Sequence, residues 1–327
     1  MARRGAKLNV VAKRDQGQVG AAIDVGSNSI HLLVARVGAP QTLARRGLAV
    51  IDDRSELLGL GEVVDRETRI PIEKRRQIMT GLAEYVLASR SAGAEKVTLI
   101  GTEPFRRAAD GEEVAAEIGL VTGIPFHVIS ERTEALLTFL GVTGGVAPNE
   151  PLLVVDVGGG STEVTIYNPG VAPSIKPLAI GSSRLTRATV KHDPPTTGEL
   201  DRLHASAQAT VQGLPQPRWP AGAKPRAVFV GGTATNLARL GVLTRAGLAE
   251  DRRTLAKMTS AQVVEHFGVR PQRALQLAAG AAIVDALLER LQLDGAATAE
   301  TSLRDGAIIC AARFGDAWPG RIGELFA

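Results

Sequence analysis

Two stretches of this chain carry the same punctuation. Residues 21–29 read Ala-Ala-Ile-Asp24-Val-Gly26-Ser27-Asn28-Ser29, and residues 152–162 read Leu-Leu-Val-Val-Asp156-Val-Gly158-Gly159-Gly160-Ser161-Thr162. Each is an apolar run that ends in an aspartate and then a turn of glycine and hydroxyl residues. A third run, Ala227-Val-Phe-Val230-Gly231-Gly232-Thr233, has the same shape without the acid. Glycine lets a bound group approach the main chain, and the exposed N–H groups of such turns suit an anion. An aspartate beside them would repel a bare phosphate unless a divalent cation sat between. The segment after each acidic turn is β-rich (Ser29-Ile-His-Leu-Leu-Val-Ala-Arg-Val37; Thr162-Glu163-Val-Thr-Ile-Tyr167), so each turn is expected to join two strands as a hairpin. That separates the pattern from a Rossmann fingerprint and from a Walker A loop, both of which open a helix. The repeat predicts a metal–phosphate clamp built from two related halves.

The chain has 327 residues, room for two domains of ordinary size, and 44% of them are apolar. No continuous apolar run approaches the roughly 18–20 residues of a membrane span. The opening Met-Ala-Arg-Arg-Gly-Ala-Lys lacks the apolar core of a signal peptide. A single cysteine, Cys310, excludes an internal disulfide framework and fits the cytoplasm. The net charge of +4 is mild, and aromatic residues are only 3% of the chain, which argues against nucleic-acid bases as partners. Basic pairs at Arg45-Arg46, Lys74-Arg75-Arg76, Arg106-Arg107 and Arg252-Arg253 read as solvated faces.

Residues 1–18, with five basic side chains, form a basic N-terminal arm in this reading. Residues 19–138 form a first domain and 139–327 a second, joined through the glycine-rich stretch at 138–150. Apolar spacing predicts helices at 71–91, 111–121, 131–141, 199–213, 234–241, 260–267, 271–293 and 303–314, with strands at 96–101 and 126–129. Pro71 suits a helix start and Ser130 an N-cap. Strands alternating with helices in both halves give an α/β class.

The five histidines are scattered without zinc spacing. Hard oxygen ligands are better represented: Asp24, Asp156 and Glu163 all lie on or beside glycine turns, as a magnesium ion completed by waters and phosphate oxygens would need. Arg106 lies just after a predicted strand, where its fork could neutralise phosphate. Glu134 stands near the start of the 131–141 helix, and spacing alone does not separate it from Glu131. No G-x-S-x-G supports a serine nucleophile.

Taken as an ordered set, these motifs resemble the exopolyphosphatase and guanosine-pentaphosphate phosphatase (Ppx/GppA) family, of the acetate-kinase/actin/Hsp70 fold. The marks are Asp24 through Leu32, Thr102 through Arg106, Glu134-Ala135 with Leu140-Gly141-Val142, Asp156 through Glu163, Gly181 with Arg184-Leu185-Thr186, Gly231 through Thr235, and Ser302 through Gly306. The resemblance implies two related actin-like (ribonuclease H-like) domains around an interdomain cleft, in a cytoplasmic homodimer. It implies release of terminal phosphate from inorganic polyphosphate, with pppGpp as the alternative substrate. The implied cofactor is magnesium or another divalent cation, with a monovalent cation as a further candidate. It assigns the general base to Glu134, and the magnesium-dependent site to Asp156 and Glu163, with Asp24 on the first phosphate loop. Arg106 is expected to face phosphate, and Ser27, Asn28, Gly158, Gly159, Gly160, Ser161, Gly232 and Thr233 to line it. The family pattern Ser-Gly-x-Glu-Glu-Ala is here Ser130-Glu131-Arg132-Thr133-Glu134-Ala135, and Arg107 stands where an Asp or Asn is common. Without the C-terminal extension of longer members, a weaker grip on long polymers is expected. An ATP-dependent kinase of the same fold, and a sensor that binds polyphosphate or an alarmone without cleaving it, are the rival readings.

Overall fold

The first acidic turn closes as a hairpin. In the computed structural model, which describes residues 17–38, 47–223 and 225–326, β1 (Val19–Val25) runs antiparallel to β2 (Ser29–Val37), and Asp24 pairs with His31. The second turn repeats this: β6 (Leu152–Val157) pairs antiparallel with β7 (Thr162–Tyr167), and Asp156 faces Glu163. The N–H of Gly26 donates to the carbonyl of Ser29 and that of Gly158 to the carbonyl of Ser161, both at 3.0 Å. Aspartate, glycine, serine and cross-strand partner therefore recur at one constant offset, and His31 is the counterpart of Glu163. Most of the basic arm at 1–18 and the pair Arg45-Arg46 lie outside the described residues.

The repetition extends to whole sheets. The first has the order β3-β2-β1-β4-β5, with β3 Leu48–Leu57, β4 Lys96–Gly101 and β5 Phe126–Val128. The second has the order β10-β9-β6-β7-β8, with β8 Ser174–Leu178, β9 Arg226–Val230 and β10 Ala297–Thr298. In each, three antiparallel strands continue into two parallel ones, so the acidic strand is central and bears its aspartate near its C-terminal end. Ligands gather at that end of a parallel pair, where helix N-termini and turns leave main-chain donors open. This is the α/β, two-sheet actin-like architecture that the motifs implied.

Most predicted helices are present with small shifts at their ends: Ile72–Ser91, Gly111–Thr122, Glu131–Thr143, Thr197–Val211, Ser260–Phe267 and Leu303–Phe314. Two differ. The expected 271–293 helix is split into Pro271–Ala274 and Leu277–Arg290. The third glycine turn leads at once into the helix Gly231–Leu237, because Gly231 takes φ +86°, a left-handed value that turns the chain directly out of β9. The edge strand β3 and the short helices Leu60–Glu67, Glu103–Arg107, Ser182–Thr189 and Arg245–Leu255 go beyond what the pattern predicts. β3 is exposed along most of its length and shows no clean alternation, and the helices run only 5 to 11 residues, so an apolar spacing repeats over few turns.

One helix ties the halves together. In Glu131–Thr143 every residue from Glu134 to Thr143 is buried, the mark of a helix packed on all sides. Leu136, Leu137 and Leu140 join a core with Ala22, Leu33 and Ile100 of the first sheet, while Phe139 and Val142 join Val154, Tyr167 and Val228 of the second. The expected division at 138/139 falls inside this helix. The helix Leu303–Phe314 returns to the first sheet, burying Ala307, Ile308 and Cys310 in that same first-sheet core. The two helices cross at backbone contact: a Cβ on Gly141 would strike the carbonyl of Ser302, and one on Gly306 the carbonyl of Leu137. Among the described residues no helix is long and apolar enough to cross a membrane.

Candidate active site

The matched turns face each other. Asp24, Gly26, Ser27 and Asn28 from the first half line one cleft of about 750 Å³ with Asp156 and Gly158 through Ser161 from the second. The turns interlock. Ser183 Oγ donates to Asn28 Oδ1 at 2.7 Å, and a Cβ on Gly159 would lie 2.6 Å from Asn28 Nδ2. A side chain at 159 would therefore have to displace Asn28 and Ser183 of the facing elements. Gly231 is constrained likewise, since a Cβ there would sit 2.5 Å from Asp156 Oδ1.

Glu134 enters this cleft from the first turn of the connecting helix. Ser130 caps that turn by accepting from the N–H of Thr133, as expected. The cap sets the register: Glu134 is buried and lines the cleft, whereas Glu131 is exposed. Position, which spacing could not give, separates the two acids. Arg106 Nη1 donates at 2.8 Å both to Glu134 Oε2 and to the carbonyl of Ile129. One turn further along, Thr138 Oγ1 donates to Asp156 Oδ2 at 3.1 Å. The connecting helix therefore orients one acid of its own and one from the second sheet.

Burial is the dominant cause of the shifts at four carboxyl groups of this region, Asp24, Glu134, Asp156 and Glu163. Burial pushes Glu134 up to about 7 against the opposing pull of Arg106, and Asp156 up to about 6 against the hydroxyl of Thr138. Burial also raises Asp24, with Arg304 opposing, and holds Glu163 well above the ordinary glutamate range, with Glu134 and Asp156 adding to the effect. Glu163, paired with Asp156 across the β6–β7 ladder, does not line the cleft, and its Oε1 is buried without a hydrogen-bond partner.

Of the residues expected from sequence, Asp24, Ser27, Asn28, Glu134, Asp156, Gly158, Gly159, Gly160, Ser161 and Gly232 line the cleft. Arg106, Glu163 and Thr233 do not; Arg106 backs Glu134, and Thr233 is tied to Ser182 by a 2.9 Å hydroxyl pair. Sequence reasoning left out Glu103, Arg273 and Arg304. Glu103 accepts from Ser27 Oγ at 2.8 Å and pairs with Arg184 of the second half. Arg304 Nη1 donates to Asp24 Oδ2 at 2.7 Å. Arg304 sits inside the Ser302–Gly306 motif, which could have flagged it; nothing in the sequence around Arg273 does so. A second groove of about 1300 Å³, bearing Arg239 and Arg270, shares Arg273, Arg304, His31 and Gly232 with the cleft and continues it.

Twin sheets with a glycine-lined, acid-bearing cleft define an actin-like enzyme that handles phosphate. The chain belongs to the Ppx/GppA phosphatase family, whose pattern residues 34–312 match. It is 31% identical to exopolyphosphatase 2 of Mycobacterium tuberculosis over 318 residues, covering 88% of this chain and 96% of that one. Against exopolyphosphatase 1 of the same organism the identity is 28% over 309 residues, covering 88% and 86%. Among solved structures, the Ppx/GppA member of Aquifex aeolicus superposes with a TM-score of 0.76 at 26% identity, covering 91% of this chain and 99% of that one. As a member of this family the chain is a phosphoanhydride hydrolase.

Proposed function

We propose that the chain releases the terminal phosphate of inorganic polyphosphate by in-line attack of a water that Glu134 deprotonates. The observation that carries this reading is the placement of Glu134: a buried carboxylate pushed up to about 7, in the same cleft as both glycine turns, and oriented by Arg106 through Oε2. Oε1 is the oxygen left to accept from water. A base whose pKa lies near the working pH combines a usable ionised fraction with enough proton affinity. In phosphoryl transfer, positioning and charge neutralisation supply most of the rate, and here they would come from the glycine turns and the arginines of the cleft. Arg106 serves the base directly in this reading, by fixing its orientation.

Magnesium fits the chemistry of the donor set, with a restriction. Asp24 and Asp156 are hard oxygen donors on one cleft, but among the described residues no three His, Cys, Asp or Glu groups are close enough to hold a metal ion by themselves. Asp24 and Asp156 would hold the ion together with waters and phosphate oxygens, as is usual for magnesium, and Glu163 would support Asp156 from the adjacent strand. When bound, the ion would supply charge neutralisation at the phosphate oxygens.

The test is phosphate release with magnesium from short polyphosphate, long polyphosphate and pppGpp, with ATP and a panel of acceptors as the control for kinase activity. Faster release from polyphosphate supports the proposal. Preference for pppGpp would move the substrate to the alarmone, phosphoryl transfer to an acceptor would make the chain a kinase, and tight binding without release would make it a sensor. A homodimer is part of the same reading, and sedimentation of the purified chain checks it.

A further inference from the structure

The two matched aspartates differ in their partners. Asp156 is held by a neutral hydroxyl, that of Thr138, whereas Asp24 is held by a cation, Arg304. The side chains of this ion pair are both nearly buried, at 13% exposure for Arg304 and 8% for Asp24. Arg304 occupies the first turn of the helix Leu303–Phe314, whose cap is the reciprocal pair Ser302–Asp305. A positive side chain in a first turn opposes the helix dipole. Sites where a local preference is overridden are where function is expected. Arg304 Nη1 is committed to Asp24, while its Nε is buried with no hydrogen-bond partner. The same side chain lines both the cleft and the arginine-bearing groove that continues it.

We propose that Arg304 and a divalent cation are alternative partners of Asp24. With the cleft empty, the guanidinium neutralises the aspartate and keeps it from repelling an arriving anion. With a cation on Asp24, the guanidinium turns its planar fork to the phosphate oxygens of the substrate, a geometry for which arginine is suited. Cation and oligoanion then strengthen each other's binding, as linkage requires for two ligands of one exchangeable pair. Arg304 is accordingly a positioning residue for Asp24 when the cleft is empty and a phosphate ligand when it is filled. The phosphate-ligand role rests on the proposed function; the competition for Asp24 does not.

The experiment is calorimetric titration of magnesium chloride into the substrate-free protein, for the wild type, Arg304→Gln, and the double variant Asp24→Asn/Arg304→Gln. Removing the competing guanidinium should tighten magnesium binding on the order of tenfold, the factor set by one partly buried charge-assisted hydrogen bond. The gain should vanish in the double variant, and KM for polyphosphate should rise in Arg304→Gln. Unchanged or weaker magnesium binding in folded Arg304→Gln overturns the proposal, as does a gain that survives in the double variant. If Arg304→Gln does not fold, Arg304→Lys, which keeps the charge but loses the fork, should show a smaller gain, and no gain there is likewise fatal. Since the titration contains no substrate, failure to hydrolyse polyphosphate would count against the proposed function and leave this result standing.

Discussion

Replacing Glu134 by glutamine removes the base and leaves its shape. The amide oxygen can still accept from Arg106 Nη1 in place of Oε2, so the side chain should keep its rotamer. General-base catalysis is worth about 10²–10⁴-fold, and the loss in kcat should fall in that range, or about 3–5 kcal/mol of barrier. Stability should move the other way. Glu134 is raised by burial from 4.5 to about 7, so above pH 7 the folded protein carries a charge it would rather not hold, at a cost of about 3 kcal/mol. Glutamine removes that cost but gives Arg106 a weaker partner, and the net change in Tm at pH 8 should be a rise or no change. A loss of folding would be the pattern for a purely structural ion pair, where breaking a buried pair costs about 3–5 kcal/mol. Colorimetric phosphate release, run beside thermal melts of wild type, Glu134→Gln and Glu131→Gln, measures both quantities. A loss of less than about tenfold in kcat for Glu134→Gln would refute its role as the base, and so would an equal loss on changing exposed Glu131.

Wild-type activity should rise as pH increases through about 7, because the base must be ionised, with Asp156 at about 6 steepening the acid limb of the profile. The folded pKa values of both acids are raised, so their contribution to stability is greatest in acid and is lost as pH climbs through about 6 and 7; without divalent cation Tm should fall between pH 5.5 and 8, and magnesium should restore part of the loss at the alkaline end. Thr138→Val removes the hydroxyl that lowers Asp156, so the acid limb should shift to higher pH with only a small change in Tm, as a pH–rate profile would show. Gly231→Ala puts a methyl group at a left-handed φ and against Asp156 Oδ1, so it should cost about 1–3 kcal/mol and most of the activity, readable from denaturant melts and phosphate release.

The repeat is legible in the chain itself. Apolar runs ending in Asp24 and Asp156, each with β-rich residues beyond, specify two hairpins through local turn chemistry. Local pattern likewise locates the capped helix at Ser130 and the strand at Lys96–Gly101. The α/β class derives from such signals, because strand period, cap and turn are encoded within a few residues. Packing settles whatever depends on residues far apart in the chain. Only the packing of the helix Glu131–Thr143 between both sheets, which buries it from Glu134 onward, chooses Glu134 over exposed Glu131. Only the return of Leu303–Phe314 to the first sheet, through the glycine crossing at 141 and 306, carries Arg304 across 280 positions to Asp24. The acidity of the carboxyl groups belongs to the same category. It is set by how completely distant segments exclude water from them, and no local pattern of residues records that.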